Sequence, residues 1–292
     1  LEVVKIITPG TVVDVEALDA KSNNYLMSIL KIENKVGIAY IDITTGEFKV
    51  TEVEKDADFV KLFNEINKIE PKEVLVTEDF YGEIKEKLDD FLQKNDSVVT
   101  FVNKVRDSAK YLMDYFEIVS LESYGIKDKK AIIGAAAMAL DYAATMQVEH
   151  ELTVEKIEFV NISNYAEINA ITSRNLELLK NQREKTVYGS LLWVLDECKT
   201  SMGTRLLKRF INNPLLNIEK IRKRQEDVQY FIDNILIRED LREKLENIYD
   251  LERLLGKIIF GSENGKDLTA LKNTIKSAVE IMKILEIPKE KQ

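Results

Sequence analysis

Three groups of residues have types and spacings that could do chemistry. The first is "FGSENGKDLTAL", residues 260–271, where two glycines and a lysine precede a helical pattern, as in a phosphate-cradling loop. Such a loop needs G-x-x-x-x-G-K followed by Ser or Thr, so that backbone amides wrap the phosphates and the hydroxyl binds magnesium. Here only three residues separate Gly261 from Gly265, and Asp267 stands where that hydroxyl would be. Asn264 is placed instead to cap a helix, with Asp267 completing a capping box at its positive end. The second group is Asp42 and Glu47, either side of a tight turn, two carboxylates that could be imagined as metal ligands. Such a site needs three or four convergent acids, and the sequence offers no clear further members. In "IDITTGEF" the alternation directs Asp42 and Thr44 to solvent and Ile41 and Ile43 to the core. The third group is Arg205, Lys208 and Arg209, which at i, i+3 and i+4 form one basic helical stripe. It suits contact with DNA phosphates, or pairing with nearby carboxylates such as Asp196 and Glu197.

The remaining reactive side chains narrow the choice. Cys198 is the single cysteine, which rules out an internal disulfide framework and fits a reducing cytoplasm. His150 is the single histidine, so a His-based metal cluster or a Ser-His-Asp triad is excluded unless His150 itself serves; its setting, "QVEHELT", reads as a polar surface turn.

These residues sit in a chain of 292 residues, 45% hydrophobic, with a net charge of −9. The length suggests two domains, divided as 1–148 and 149–292. Residues 1–148 carry 18 Lys+Arg against 27 Asp+Glu, while residues 149–292 carry 24 of each. Neither half has the basic excess of a nucleic-acid-binding face, and the acidic half should repel a phosphate backbone. The longest apolar run, "AIIGAAAMAL", is too short to span a bilayer, so no membrane role is expected. No secretion leader is recognisable, and an opening Leu1 rather than Met suggests a piece of a longer polypeptide.

The first half reads as α/β. "VGIAYIDI" and "EFKVTEV", joined by "TTG" with Gly46 free to take positive φ, predict a hairpin. Helices are expected at 58–69, stopped by Pro71, and in "YGEIKEKLDDFL". Short strands are expected at 73–77 and 97–102, and an alanine-rich helix at about 128–147. This order points to a sheet with helices packed on it. After "KIEFVNI", a short strand, the second half reads as helix: "TSRNLELLKN" capped by Thr172 or Ser173, "SLLWVLDEC", "TSMGTRLLKRFINN" ended by Pro214, "NIEKIRKRQEDVQYFIDN" capped by Asn217, "REDLREKLENI", "DLERLLGKIIFG", and a last helix from about 265. Leu191, Leu192, Val194 and Leu195 are expected to anchor their helix in the core, with Trp193 buried beside them.

Residues 172–217, "TSRNLELLKNQREKTVYGSLLWVLDECKTSMGTRLLKRFINNPLLN", resemble the core, or lever, domain of the MutS family of DNA mismatch-repair proteins. Downstream, "YDLERLLGKI" and "KDLTALKNTI" are similar to the family's next landmarks. Upstream, "TPGTVVD", "NNYLMSI" and "IAYIDITTGEF" resemble its connector domain, so the likeness covers essentially the whole chain. It implies an RNase H-like connector at 1–148, a mixed sheet with flanking helices, and a helical core domain at 149–292, without the clamp and the returning helices. The family's Phe-x-Glu mismatch reader lies ahead of "TPGT". "FNE" at Phe63–Glu65 matches its letters but not its place, and Phe63 belongs to a helical apolar stripe.

The resemblance implies that this piece is no enzyme and holds no cofactor, whereas the full-length family protein is a DNA-dependent ATPase using ATP and magnesium. It further implies mismatched duplex DNA as ligand, homodimerisation, a MutL-type partner, and a cytoplasmic, nucleoid-associated location. The role expected of the piece is to transmit signals between DNA binding and ATP hydrolysis and to offer the partner a docking surface. The candidate for that surface is Lys110, Tyr111 and Tyr115 in "SAKYLMDYF", since tyrosines on an exposed helix suit interfaces. The alternatives are a metal-dependent nuclease at Asp42 and Glu47, suggested by the RNase H-like fold, and an autonomous DNA-binding module.

Overall fold

A computed structural model describes residues 7–147, 152 and 154–286. The chain forms two compact units, Leu1–Asp19 with Asn23–Ile162, and Ala20–Ser22 with Ser163–Gln292. His150 lies outside the described residues.

The first unit is built on a six-stranded sheet. β1 (Leu26–Ile32), β2 (Lys35–Asp42) and β3 (Glu47–Glu54) form an antiparallel meander. α1 (Val60–Ile69) returns the chain to β4 (Glu73–Val76), which pairs parallel with β1, and α2 (Glu78–Asn95) leads to β5 (Val98–Phe101), parallel with β4. α3 (Ser108–Tyr115) and α4 (Lys130–Met146) follow, and β6 (Glu158–Phe159) closes the far edge beside β3. The order β5-β4-β1-β2-β3-β6 is the mixed sheet with flanking helices that the sequence implies. The hairpin expected at "TTG" is β2–β3, with Gly46 at φ 71°.

The central strand β1 was not legible as a strand in the sequence. "LMSILKI" is mostly apolar, broken by Ser28 and Lys31, and lacks period-2 alternation because the sheet is covered on both faces. Its turn to β2 has no glycine; Glu33 takes φ 53° in its place. On one face Met27, Ile29, Val36, Ile38, Leu62, Ile66, Phe80, Ile84 and Leu88 join the core under α1 and α2. On the other lies α4, whose alanines let it approach the strands closely. A Cβ on Gly37 would lie 2.1 Å from the Ala131 carbonyl oxygen, and one on Gly134 2.3 Å from Leu30 Cδ2. The near-uniform burial of α4 explains its composition, since a helix covered on most sides needs no polar stripe.

The second unit is helical: α5 (Ala170–Asn175), α6 (Leu191–Leu195), α7 (Ser201–Asn212), α8 (Ile218–Asp233), α9 (Ile235–Leu245), α10 (Leu251–Ile259) and α11 (Gly265–Glu286). Ser190, Thr200, Asn217 and Asp250 cap α6, α7, α8 and α10, each accepting from the backbone amide three residues on. Two expectations are corrected. The cap of α5 is Asn169, bonded to the Thr172 amide at 2.7 Å, so Thr172 and Ser173 fall inside the first turn. In α6 only Leu192 is buried, at 1% exposure, while Leu191, Trp193, Val194 and Leu195 are 40–62% exposed. A five-residue helix spans little more than one turn, so five consecutive apolar residues point around its whole circumference and cannot all face inward; the Trp193 ring packs edge-on against Tyr188 instead.

Candidate functional site

Each sequence-derived candidate has a defined place. At the head of α11, Asn264 Oδ1 accepts from the amides of Lys266 and Asp267 at 2.8 and 3.2 Å, and Asn264 N donates to Asp267 Oδ2 at 3.0 Å. The glycine-lysine stretch is thus the expected capping box.

Asp42 is fully buried and Thr44 nearly so, contrary to the expected solvent-facing pattern. Asp42 Oδ1 accepts from Thr44 N and Oγ1 at 3.0 and 2.7 Å, and Oδ2 from Asn23 Nδ2 and Asn24 N at 2.8 and 3.2 Å. An aspartate that closes its own turn points back into the fold, which overrides strand alternation. Glu47 accepts from Tyr25 Oη at 2.6 Å, from Asn23, and from the buried Lys49. Burial, reinforced by the Glu47 charge, holds the Tyr25 hydroxyl well above its ordinary pKa. Because Leu26 pairs with Ile41 and with Glu73, these acids sit at the amino-terminal edge of the parallel strands. Ligand crevices of open α/β sheets lie at the opposite, carboxyl edge. Among the described residues no group of three or more Asp, Glu, His and Cys could hold a metal ion. At the same edge the fully buried Glu73 receives Thr8 Oγ1, Gly10 N, Thr100 Oγ1 and Tyr142 Oη at 2.5, 3.0, 2.6 and 2.8 Å, fixing the "TPGT" stretch.

On α3, Lys110 is exposed while Tyr111 and Tyr115 are half-buried. Burial, then the Asp141 carboxylate, pushes the Tyr111 hydroxyl up to about 12. Tyr115 Oη donates to the Leu152 carbonyl at 3.5 Å.

The basic stripe of α7 begins in a buried charged cluster of the second unit. Arg205, 6% exposed, donates to Asp250 Oδ2 at 2.5 Å, Asp250 Oδ1 at 3.1 Å, Glu252 Oε2 at 2.8 Å and the Ala20 carbonyl at 3.0 Å. Lys208 reaches Ser22 Oγ at 2.7 Å, and Arg209 is exposed. Arg253, 2% exposed, donates to the Ser22 carbonyl at 2.6 Å, and Lys21 pairs with Asp196 at 2.8 Å. The carboxylates that receive Arg205 are therefore Asp250 and Glu252, not Asp196 and Glu197. Asp250, Arg253 and Ala20–Ser22 were not found from the sequence. The cap position of Asp250 ahead of "LERL" was the available signal; nothing local marks residues 20–22, of which Ala20 lies 185 positions from Arg205.

The comparison with known proteins accounts for this architecture. The sequence model of MutS domain II matches residues 24–157, and that of MutS domain III matches residues 171–292. The chain belongs to the MutS family. Among curated relatives, the DNA mismatch repair protein MutS of Fusobacterium nucleatum is 45% identical over 287 residues, covering 98% of this chain and 32% of the relative. MutS of Halothermothrix orenii is 38% identical over 288 residues, with coverages of 98% and 32%. MutS of Lachnoclostridium phytofermentans is 38% identical over 289 residues, with coverages of 97% and 30%. The chain thus spans about a third of the length of the MutS relatives it matches. The sheet unit corresponds to the domain II match and the helical unit to the domain III match. Among the described residues no helix is long and apolar enough to cross a membrane.

Proposed function

We propose that the chain is the relay of a mismatch-repair protein, its domain II and domain III segments carrying signals between mismatched-DNA binding and an ATP- and magnesium-dependent site elsewhere in a longer, homodimeric protein. The observation that carries this reading is the match of both MutS domains, in order, to two units of different build. Capped helices move as stiff units, which suits transmission of displacement over distance. The fully buried, mutually bonded state of Asp42 supports a structural role for that carboxylate over metal-dependent cleavage. The internal engagements of Arg205 and Lys208 favour support of the fold over contact with DNA.

A MutL-type partner docks, in this reading, on the α3 side of the first unit, with Lys110 at the surface and Tyr111 and Tyr115 framing it. Two experiments test the function. This segment, exchanged for its counterpart in Fusobacterium nucleatum MutS, should restore a low mutation frequency to cells lacking their own MutS; a persistent mutator phenotype with normal protein levels overturns the relay. Biolayer interferometry of the 292-residue chain against the MutL-type protein of the same organism should show binding weakened about ten-fold by Lys110→Glu, as for the loss of one interface anchor. No binding, or binding indifferent to Lys110, overturns the docking assignment.

A further inference from the structure

The three residues Ala20–Ser22 belong to the second unit, while the chain on either side of them belongs to the first. Four side-chain contacts meet on this short segment. Arg205 and Arg253 each grip a backbone carbonyl, Ala20 at 3.0 Å and Ser22 at 2.6 Å. Lys208 donates to Ser22 Oγ, and Lys21 in turn reaches Asp196, which is itself held by Thr204 at 2.8 Å. The two guanidiniums are almost wholly buried and share one carboxylate, Asp250; Glu252, the other acid at Arg205, is half exposed.

Buried guanidiniums have more donors than one carboxylate can accept, and a buried donor left without an acceptor is costly. The Ala20 and Ser22 carbonyls supply both guanidiniums with acceptors from outside α7 and α10. The acceptors are main-chain atoms, so what Arg205 and Arg253 sense is the path of the backbone rather than the identity of a side chain.

We propose that Ala20–Ser22 is a latch: its seating on Arg205 and Arg253 is linked to the packing of α7 with α10, so that unseating the segment loosens those helices and loosening them releases the segment. Linkage of this kind is reciprocal by thermodynamic necessity. The proposal rests on the relay reading for its purpose, and names the residues through which the chain flanking the segment acts on the helical unit. Arg205, Arg253 and Lys208 are positioning residues in it.

The test uses the 292-residue chain. The Lys21 side chain is 58% exposed, so a slow trypsin cut after Lys21 reports a fixed backbone rather than a hidden side chain. Arg253→Met should speed that cut about ten-fold or more, the factor implied by losing a charged hydrogen bond. Lys208→Ala, which leaves the buried pair intact, should speed it by a smaller factor. In the reverse direction, hydrogen–deuterium exchange of wild-type chain already nicked at Lys21 should show faster exchange in α7 and α10, with α11 unchanged.

Equal cleavage rates in wild type, Arg253→Met and Lys208→Ala overturn the latch, as does a nick that leaves α7 and α10 exchange untouched. Should circular dichroism show Arg253→Met unfolded, Lys208→Ala and the nicked wild type decide the matter. Failure of the relay reads out separately, as a mutator phenotype in the exchanged MutS. A repair-competent exchange with no exchange linkage removes the latch alone.

Discussion

Asp42 illustrates how a side chain with catalytic chemistry is spent on structure. Its two oxygens accept four hydrogen bonds from Asn23, Asn24 and Thr44 inside the fold. Asp42→Ala strands these donors and should lower the stability of the first unit by about 1–3 kcal/mol, measured by urea denaturation. The same chain in a magnesium-dependent nuclease assay should leave DNA and RNA intact, and cleavage lost in Asp42→Ala would overturn the structural role. Asp250 gives a pH signature. Burial, the largest single influence, raises its pKa. The hydrogen bond and charge of Arg205, with Ser201 and the Arg253 amide, together hold it below its ordinary value of 3.8. A carboxyl depressed in the folded state contributes stability that is complete above its unfolded pKa and is lost as the pH falls through the folded one. The second unit should therefore weaken below about pH 4. In Arg205→Met that acid-dependent part should shrink, as followed by urea midpoints at successive pH values.

Elements gain their stability from a few inward positions. Leu192 is the buried residue of α6, so Leu192→Ala should cost about 2–4 kcal/mol. Trp193, 51% exposed, should cost well under half as much when cut to alanine, since half its surface already meets water. Chemical denaturation of both variants checks the order, and a larger loss for Trp193→Ala would contradict it. In the sheet unit the approach of α4 to β2 depends on an absent side chain. Gly37→Ala places a Cβ against the Ala131 backbone, which cannot swing aside as a side chain could. The expected cost is at least about 1–3 kcal/mol, visible as a lowered melting temperature.

Across the whole molecule, charge sets what the chain does by itself. The first half carries the entire net of −9, and the most buried cations of the second half are engaged internally. The 292-residue chain should therefore show no preference for mismatched over matched duplex by fluorescence anisotropy at about 0.15 M salt. Any residual binding should fall with a shallow salt slope, reflecting few phosphate contacts. Tight, mismatch-specific binding would make it an autonomous DNA-binding module.

The sequence by itself determined the two classes of architecture, the β2–β3 hairpin, the capping of α8 and α11 and the family, because each is written in local signals or in long runs of matching residues. "TTG" with Gly46 fixes a turn whatever surrounds it, and Asn217 or Asn264 caps a helix through amides two or three residues away. Only the tertiary structure decided that "LMSILKI" is the central strand, since burial on both faces erases the alternation that marks strands. It alone decided which residue of "LLWVL" faces inward, because a helix of five residues is too short for its period to choose a face. And it alone joined Ser22 to Arg253 across 231 positions, through a backbone carbonyl that carries no trace in the amino-acid code.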